Sequence, residues 1–456
     1  MTEQHQNALV TWLLRAAVAW LVFLGAFALG VFVMAKQVWP YGPIIEIASY
    51  FKTDETTTTT ITEQIQNDLG LLPHRHLADL GQPYSWSQDY PQLDGLPIRD
   101  RRQPPRVFLS PDAPRGYRVI FGTFDFDETL HGAIVLDPDG KLVNVWQLGQ
   151  EDVPWEARLD RNVSPHGFDI APDGAIVVGF DGGTQLAAYE WCGDLRWRRQ
   201  GGFHHSADIG DDNELWAWGN VDTDVMWGKY MVKLDFATGE VLDQIHINDL
   251  VSANPEVGVL SIRQLDNADG SVWMKEPWHA NDIDPLPRAY ADAYPMFEAG
   301  DLMVSFRSLD LIAVFDPVTH KLKWWRSGFV RRQHDPDWNA DGTITVFNNN
   351  MHRGLSSIVE IDPKTYQHET VMPGQPYNFY TWRRGKHQRM DDGGFLVTST
   401  EQGRVFEVDA EGNIVFDFIN VYEGEGSYLV LSEAFFLPED FFGDDLPVCG
   451  EPAGQG

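Results

Sequence analysis

Lys323-Trp324-Trp325-Arg326, Arg331-Arg332-Gln333-His334-Asp335 and Asp341-Gly342-Thr343-Ile344-Thr345-Val346-Phe347-Asn348-Asn349-Asn350 lie within one short stretch. Asp341-Gly342 reads as a two-residue hairpin turn, and the β-branched and aromatic run after it as a strand. A single histidine with arginines beside it precedes that strand. The same grammar recurs along the chain, so the stretch is one unit of a repeat.

One half of the repeat is an apolar strand, an Asp-containing turn and a second strand that often ends in tryptophan. It appears at Ala133–Lys141 leading to Trp146, at Leu186–Trp197, and at Met231–Gly239. It returns at Ile312–Trp324, Ile358–Thr365 and Val405–Gly412, which makes six copies. The other half runs from a histidine through a short polar segment into an apolar strand. Its copies begin at His166, His204-His205, His279, His334 and His387, while the opening copy, Tyr117–Phe126, has no histidine. Two hairpins per repeat of about 45 to 55 residues is the pattern of a four-stranded propeller blade. The chain is therefore expected to be all-β, a six-bladed β-propeller over residues 106–420.

Residues 1–37 read as a tail and a membrane anchor. Ala16 to Ala35 is an uncharged apolar run between Arg15 and Lys36, long enough to cross a bilayer as one helix. Val33-Met34-Ala35 loosely resembles a signal-peptidase site, but the run is long for a cleaved leader. A single-pass membrane protein follows, with the propeller on the periplasmic or extracellular side. Residues 38–105 read as a linker with a short helix from Ile61 to Leu71 and an irregular collar; 421–456 read as an acidic tail. Between Gln244 and Trp278 the repeat carries extra length, including a broken helix near Val251–Pro255. Cys192 and Cys449 are too few for a disulfide framework; a pair and two free thiols are both open.

With 34 basic and 67 acidic residues the formal charge is -33, which excludes nucleic acid as a partner. Positive charge is concentrated in two neighbouring repeats, from Lys321 to Arg332 and from Arg383 to Arg389, a landing point for a small anion. In a propeller the innermost strands line the central channel, so residues at one point of each repeat meet around the axis. His166, His205 (or His204), His279, His334 and His387 are expected to converge in this way. No metal-ligand spacing is present, although Asp169, Asp208, Asp282 and Asp335 stand near the histidines, and no metal is assigned. Serine-nucleophile and phosphate-loop motifs are absent too. A neutral imidazole is a competent nucleophile towards sulfur or phosphorus. Arg307 offers a guanidinium clamp for a transferring anion, and Asn281 lies on the same side as His279. Trp278, Trp338, Tyr380 and Trp382 are candidates to hold an aryl ring, or else blade-packing aromatics.

Over about Asn162 to Asn350, and more loosely over the whole ring, the chain resembles the bacterial arylsulfate sulfotransferase family. The resemblance rests on His204-His205-Ser206-Ala207-Asp208, Trp278-His279-Ala280-Asn281-Asp282-Ile283-Asp284, Val304-Ser305-Phe306-Arg307-Ser308 and Gln333-His334-Asp335 followed by Phe347-Asn348-Asn349. It implies that His334 accepts the sulfuryl group, that His279, Arg307 and Asn281 hold its oxygens, and that His205 or His204 is a further site histidine. His166 and His387 complete the expected substrate-binding set. It further implies a transferase that moves a sulfuryl group from an aryl sulfate to a phenol, with no cofactor. The rival reading is a non-catalytic propeller that serves as a binding or assembly module at the membrane. The residues identify no protein partner.

Overall fold

In the computed structural model, described residues are 12, 14–26, 28, 71–73, 89–100, 102–148, 164–181, 185–221, 229–261, 278–351, 354–422, 427–443, 446, 447 and 449. The chain divides into two compact units, Met1–Gln64 and Ile65–Gly456. In the first, residues 14–26 are helical, with Leu14, Val18, Trp20, Leu21, Val22, Phe23 and Leu24 exposed. Among the described residues no helix is long and apolar enough to cross a membrane. The second half of the expected anchor lies outside them, as does the expected helix from Ile61 to Leu71 except for its last residue, Leu71, which begins a strand, Leu71–Pro73.

The second unit is a ring of six antiparallel sheets. Four sheets use four consecutive strands: Ser164–Ile170 to Leu195–Gln200 (blade 2), His204–Ile209 to Val241–His246 (blade 3), Ala280–Pro285 to Leu322–Ser327 (blade 4) and His334–Trp338 to His368–Pro373 (blade 5). Blade 6, Lys386–Arg389 to Ile414–Ile419, takes Arg106–Leu109 as a fifth, outer strand. Blade 1 is Gly116–Thr123, His131–Leu136 and Leu142–Leu148, with Leu431–Pro438 from the far end of the chain as its innermost strand.

The expected boundary at 420 is corrected by that pairing. Residues 421–456 are not simply an acidic tail, because Glu433 to Pro438 pair in register with Phe121 to Gly116. The physical reason is the edge problem: a ring opened at blade 1 would expose an unpaired inner strand edge, and the C-terminal strand covers it. A bidentate ion pair crosses the same junction. Arg118 of blade 1 donates from Nε and Nη2 to the two oxygens of Glu407 of blade 6, at 2.8 and 2.7 Å, both side chains fully buried. Cys192 and Cys449 form a disulfide, with Cα atoms 5.4 Å apart. It closes a loop of 257 residues, which in the chain-entropy model is worth about 5 kcal/mol.

Burial follows strand position. The second and third strands, such as Leu302–Phe306 and Leu311–Phe315, are buried on both faces, so they read as unbroken apolar runs. The outermost strand of the same blade, Leu322–Ser327, is largely half-exposed. The core consists of seams between neighbouring blades. In the seam of blades 3 and 4, Trp218, Met231 and Ile245 pack on Ile283, Val304 and Leu311. Tryptophans lock these seams through their ring N–H: Trp146 donates to Glu190 O at 2.9 Å, Trp197 to Phe236 O at 2.6 Å and Trp218 to Asp282 O at 2.9 Å. The Asp341-Gly342 turn is one residue longer than expected. Asn339 and Thr343 pair across it, the Gly342 N–H donates to Asn339 O at 3.0 Å, and Gly342 takes a φ of +86°. This is a type I turn with a glycine bulge.

Candidate active site

Each inner strand runs along the channel from the loops between blades towards its hairpin turn. The register with the second strand shows which residues share a level. Asp169 pairs with Val177, Asp208 with Trp216, Asp284 with Met303, Asp337 with Thr345 and Gln388 with Leu396, each one pair before the turn-closing pair. Four blades thus place an aspartate at one level and blade 6 a glutamine. Three residues earlier stand His166, His205, Asn281 and His334. A bulge lies between the two levels in each of these four blades.

The expected equivalence of five histidines is therefore corrected. His166, His205 and His334 are equivalent, Asn281 holds their place in blade 4, and His279 stands two residues earlier with a φ of +48°. His387 lies one residue before Gln388, towards the aspartate level. Sequence spacing hid this because the loops ahead of the inner strands differ in length.

At the first level the imidazoles do gather. His166 and His205 have ring centroids 4.6 Å apart, His205 and His279 5.1 Å, and His204 and His205 4.9 Å with their Nδ1 atoms 2.6 Å apart and hydrogen-bonded. His334 is 3% exposed, within electrostatic reach of Arg307, His166 and His279. Arg307, from the loop after the second strand of blade 4, donates its backbone N–H to His279 O at 3.0 Å. Its Nη2 reaches Met351 Sδ at 3.5 Å and its buried Nε has no hydrogen-bond partner. Asn281 donates Nδ2 to Gln333 O at 2.8 Å and leaves its buried Oδ1 without one.

His334 is held at both nitrogens. Asn349 donates Nδ2 to Thr381 O and Arg384 O at 2.9 and 2.6 Å, so its Oδ1, 2.7 Å from His334 Nδ1, must be the acceptor. The proton of His334 is thereby fixed on Nδ1, and the lone pair on Nε2 accepts the Arg384 backbone N–H at 3.1 Å. His166 donates Nδ1 to Asp181 Oδ2 at 2.6 Å, and the same carboxylate accepts the His205 backbone N–H at 3.0 Å. Arg384 completes the group, its guanidinium on Ser164 Oγ and 3.8 Å from Asp181.

Burial decides the charge states here. It pushes the His166 imidazole down to about 4 against the pull of Asp181. It holds His205 well below the ordinary range, and His334 too, with Arg307 adding to the effect at His334. Burial alone would raise Asp181, but His166, His205 and Arg384 outweigh it and keep the carboxyl ionised. At neutral pH this end therefore presents His166, His205 and His334 as neutral imidazoles beside Arg307 and Arg384.

At the second level the described residues line a cavity of about 640 Å³ whose wall includes the carboxyl groups of Asp208, Asp282, Asp284, Asp335, Asp337 and Glu433. Lys386 reaches in among them, 2.9 Å from Asp335, 3.3 Å from Glu433 and 3.5 Å from Asp282. Burial pushes Asp169 and Asp282 up to about 6 and Asp208, Asp284, Asp337 and Glu433 well above their ordinary values. Burial would lower Lys386, but Asp282, Asp335 and Glu433 hold it well above its usual range.

Two groups of described residues have metal-ligand chemistry: His166, Asp181 and His205 at the first level, and Asp335, Asp337 and His387 at the second.

The basic island splits. Arg307, Arg331, Arg332, Arg383 and Arg384 collect at the histidine end, where Arg332 contacts Arg307 O and Arg331 contacts Met351 O. Lys321 and Lys323 bond Ala253 O and Glu298 elsewhere. The proposed aryl-holding aromatics are packing residues: Trp338 stacks edge-on to Tyr294 and Phe297, Trp278 is buried in the seam of blades 3 and 4, and Tyr380 and Trp382 pack with Ile419 and Val421. Asp181 and Ser164 are site residues that the sequence did not single out, and Asn349 stood there only as part of a motif, without a role. The signal for Asp181 was weak, an aspartate ending a second strand in one blade alone.

A family model described as Arylsulfotransferase (ASST) matches residues 168–421, more than half of the chain. No curated protein sequence matches it. Among solved structures, a protein of unknown function from Bacteroides caccae is 11% identical with a TM-score of 0.47, covering 71% of this chain and 100% of that one. A virginiamycin B lyase from Staphylococcus aureus is 10% identical with a TM-score of 0.33, covering 55% and 69%. Dihydro-heme d1 dehydrogenase NirN is 11% identical with a TM-score of 0.35, covering 73% and 61%. Likeness at this level carries nothing about chemistry. With its six blades and with the family match spanning blades 2 to 6, the chain belongs to the arylsulfotransferase (ASST) family.

Proposed function

We propose that the protein transfers a sulfuryl group from an aryl sulfate to a phenol through a sulfated His334. The observation that carries the reading is the gathering of His205, His279, Asn281, Arg307 and His334, from three blades, into one buried cationic cup. His334 is neutral and has its Nδ1 proton fixed by Asn349. The electrophilic sulfur displaces the Arg384 N–H from Nε2; the N–S bond forms as the S–O bond to the aryl oxygen breaks, and the phenolate leaves with the electron pair. Arg307 Nε, which has no hydrogen-bond partner, and His279 supply donors for the sulfuryl oxygens, where charge spreads in a loose transition state. In the second half-reaction neutral His205 takes the proton of the acceptor phenol as its oxygen attacks the sulfur, which returns His334. Asn281, His204 and His166 shape the cup. His387 belongs to the carboxylate end and takes no part in this chemistry.

We also place the propeller outside the cytoplasm, anchored by the N-terminal apolar segment. The Cys192–Cys449 disulfide suits an oxidising compartment, and the exposed apolar residues of the helix at 14–26 suit a lipid surrounding. Protease accessibility in intact cells tests this placement.

The deciding experiment for the chemistry is intact mass after mixing with 4-nitrophenyl sulfate alone. A single sulfuryl adduct mapped to His334 is expected, discharged by added phenol. An adduct elsewhere, or turnover undiminished in His334→Ala, would sink the reading.

A further inference from the structure

The carboxylate end of the channel contains a geometry that the transfer chemistry leaves unused. His387 is 5% exposed and lines the cavity. Its Nδ1 lies 2.8 Å from Asp335 Oδ2. The two oxygens of that carboxyl group also face obligate donors, the Lys386 ammonium at 2.9 Å and the His387 backbone N–H. With both oxygens accepting from these donors, Asp335 accepts from the ring as well, so the ring proton sits on Nδ1. The other nitrogen, Nε2, is buried and has no hydrogen-bond partner. It faces Asp337 Oδ2 at 3.6 Å, beyond hydrogen-bond reach. His387 Nε2 and Asp337 Oδ2 therefore face one another across a gap that no hydrogen bond closes, and Asp284 lines the same cavity.

This is the arrangement of a metal-ligating histidine before its metal. The acceptor on Nδ1 selects the tautomer and turns the free nitrogen outward, as carboxylates behind metal-bound imidazoles do. We propose that His387 Nε2 and the Asp337 carboxylate bind one divalent cation of the zinc, manganese or cobalt class, with Asp335 fixing the imidazole. Ligand-type atoms of Asp335, Asp337 and His387 all lie within 4.8 Å of one another, a spacing that one ion can bridge. Nitrogen in the donor set disfavours calcium and magnesium, and the cavity leaves the remaining positions to water. Asp335 and Asp337 come from blade 5 and His387 from blade 6, so the ion clamps a seam of the ring. It also supplies positive charge where Lys386 is the sole buried lysine or arginine among the described residues of a cavity wall that carries eight acidic side chains. The site is independent of His334 and of the transfer reaction.

The test uses the full-length protein, freed of metal by chelation and dialysis, with ZnCl2, MnCl2 and CaCl2 titrated separately by calorimetry. One equivalent of zinc or manganese is expected to bind, calcium at least about tenfold more weakly, with a rise in melting temperature. His387→Gln and Asp337→Asn are each expected to weaken binding by about tenfold or more, and Asp335→Asn by a comparable factor through loss of ring orientation. His205→Ala, which removes the other group of metal-ligand chemistry, is expected to leave binding unchanged. No binding to wild type, or binding lost in His205→Ala and kept in His387→Gln, overturns the proposal. Should the variants fail to fold, copper(II) resonance on the wild type decides. Coupling to one imidazole nitrogen supports the site; coupling to none, or to several, rejects it.

Discussion

The two ends of the channel are built from the same inner strands, three residues apart, and they answer burial in opposite ways. At the histidine end, desolvation removes positive charge from His166, His205 and His334, leaving the guanidiniums, Arg307 and Arg384 among them, as the cations. At the carboxylate end, desolvation raises Asp208, Asp284, Asp337 and Glu433, so protons replace part of the negative charge around Lys386. One end is thus fitted to an anion and the other to a cation, in a chain whose formal charge is -33. Net charge says little about a site; what surrounds each buried group decides it.

The sharpest way to break this contrast is to exchange one residue at each end and follow turnover. His334→Ala is expected to lower kcat by on the order of 10³-fold or more, because the covalent route is lost. Asp284→Asn, at the other end, is expected to leave kcat nearly unchanged. A large loss in Asp284→Asn would mean that the ends do not act separately.

Stability gives the next largest effect. Lys386→Met leaves the ionised Asp335 without its buried partner, and urea unfolding at pH 8 in EDTA is expected to show a loss of about 3 to 5 kcal/mol. The loss should shrink near pH 4, where the surrounding carboxylates take up protons. Equal losses at both pH values would contradict the assignment of Lys386 as their counter-charge.

The acid limb of stability separates the ends by sign. His166 has its folded pKa depressed to about 4 from 6.5, so its contribution is whole above pH 6.5 and is lost as pH falls towards 4. That shift corresponds to at most about 3 kcal/mol. Asp169 has its folded pKa raised to about 6, so it opposes folding above pH 6 and the penalty is relieved as pH falls towards 3.8. Urea midpoints for His166→Asn across pH 4 to 7 in EDTA should lack the first component. A His166→Asn curve parallel to wild type would refute the depressed imidazole.

The smallest effect expected is kinetic. With His334 and His205 both held well below 6.5 by burial, kcat/KM should show no inflection near pH 6.5, its acid limb lying lower. An ordinary histidine inflection would mean that one of the two is solvated in the free enzyme.

Much of this molecule was legible before any coordinates. Doubly buried strands such as Leu311–Phe315 are continuous apolar runs, and Asp-Gly turns punctuate them, so the number of blades could be counted. His205, His279, Asn281, Arg307 and His334 were recognisable from their local motifs. The levels of the channel were not legible. His279 and His387 look equivalent to His334 in sequence, yet pairing with the second strand places them at other heights.

Local chemistry, written in strand runs, turn residues and short polar motifs, was determined by the sequence alone, because each rests on neighbours a few positions away. Ring closure by Leu431–Pro438, the Arg118–Glu407 pair, the Asp181 anchor of His166 and the free Nε2 of His387 were decided only in three dimensions. The residues they join are distant along the chain, and no periodicity marks a contact made once around a ring.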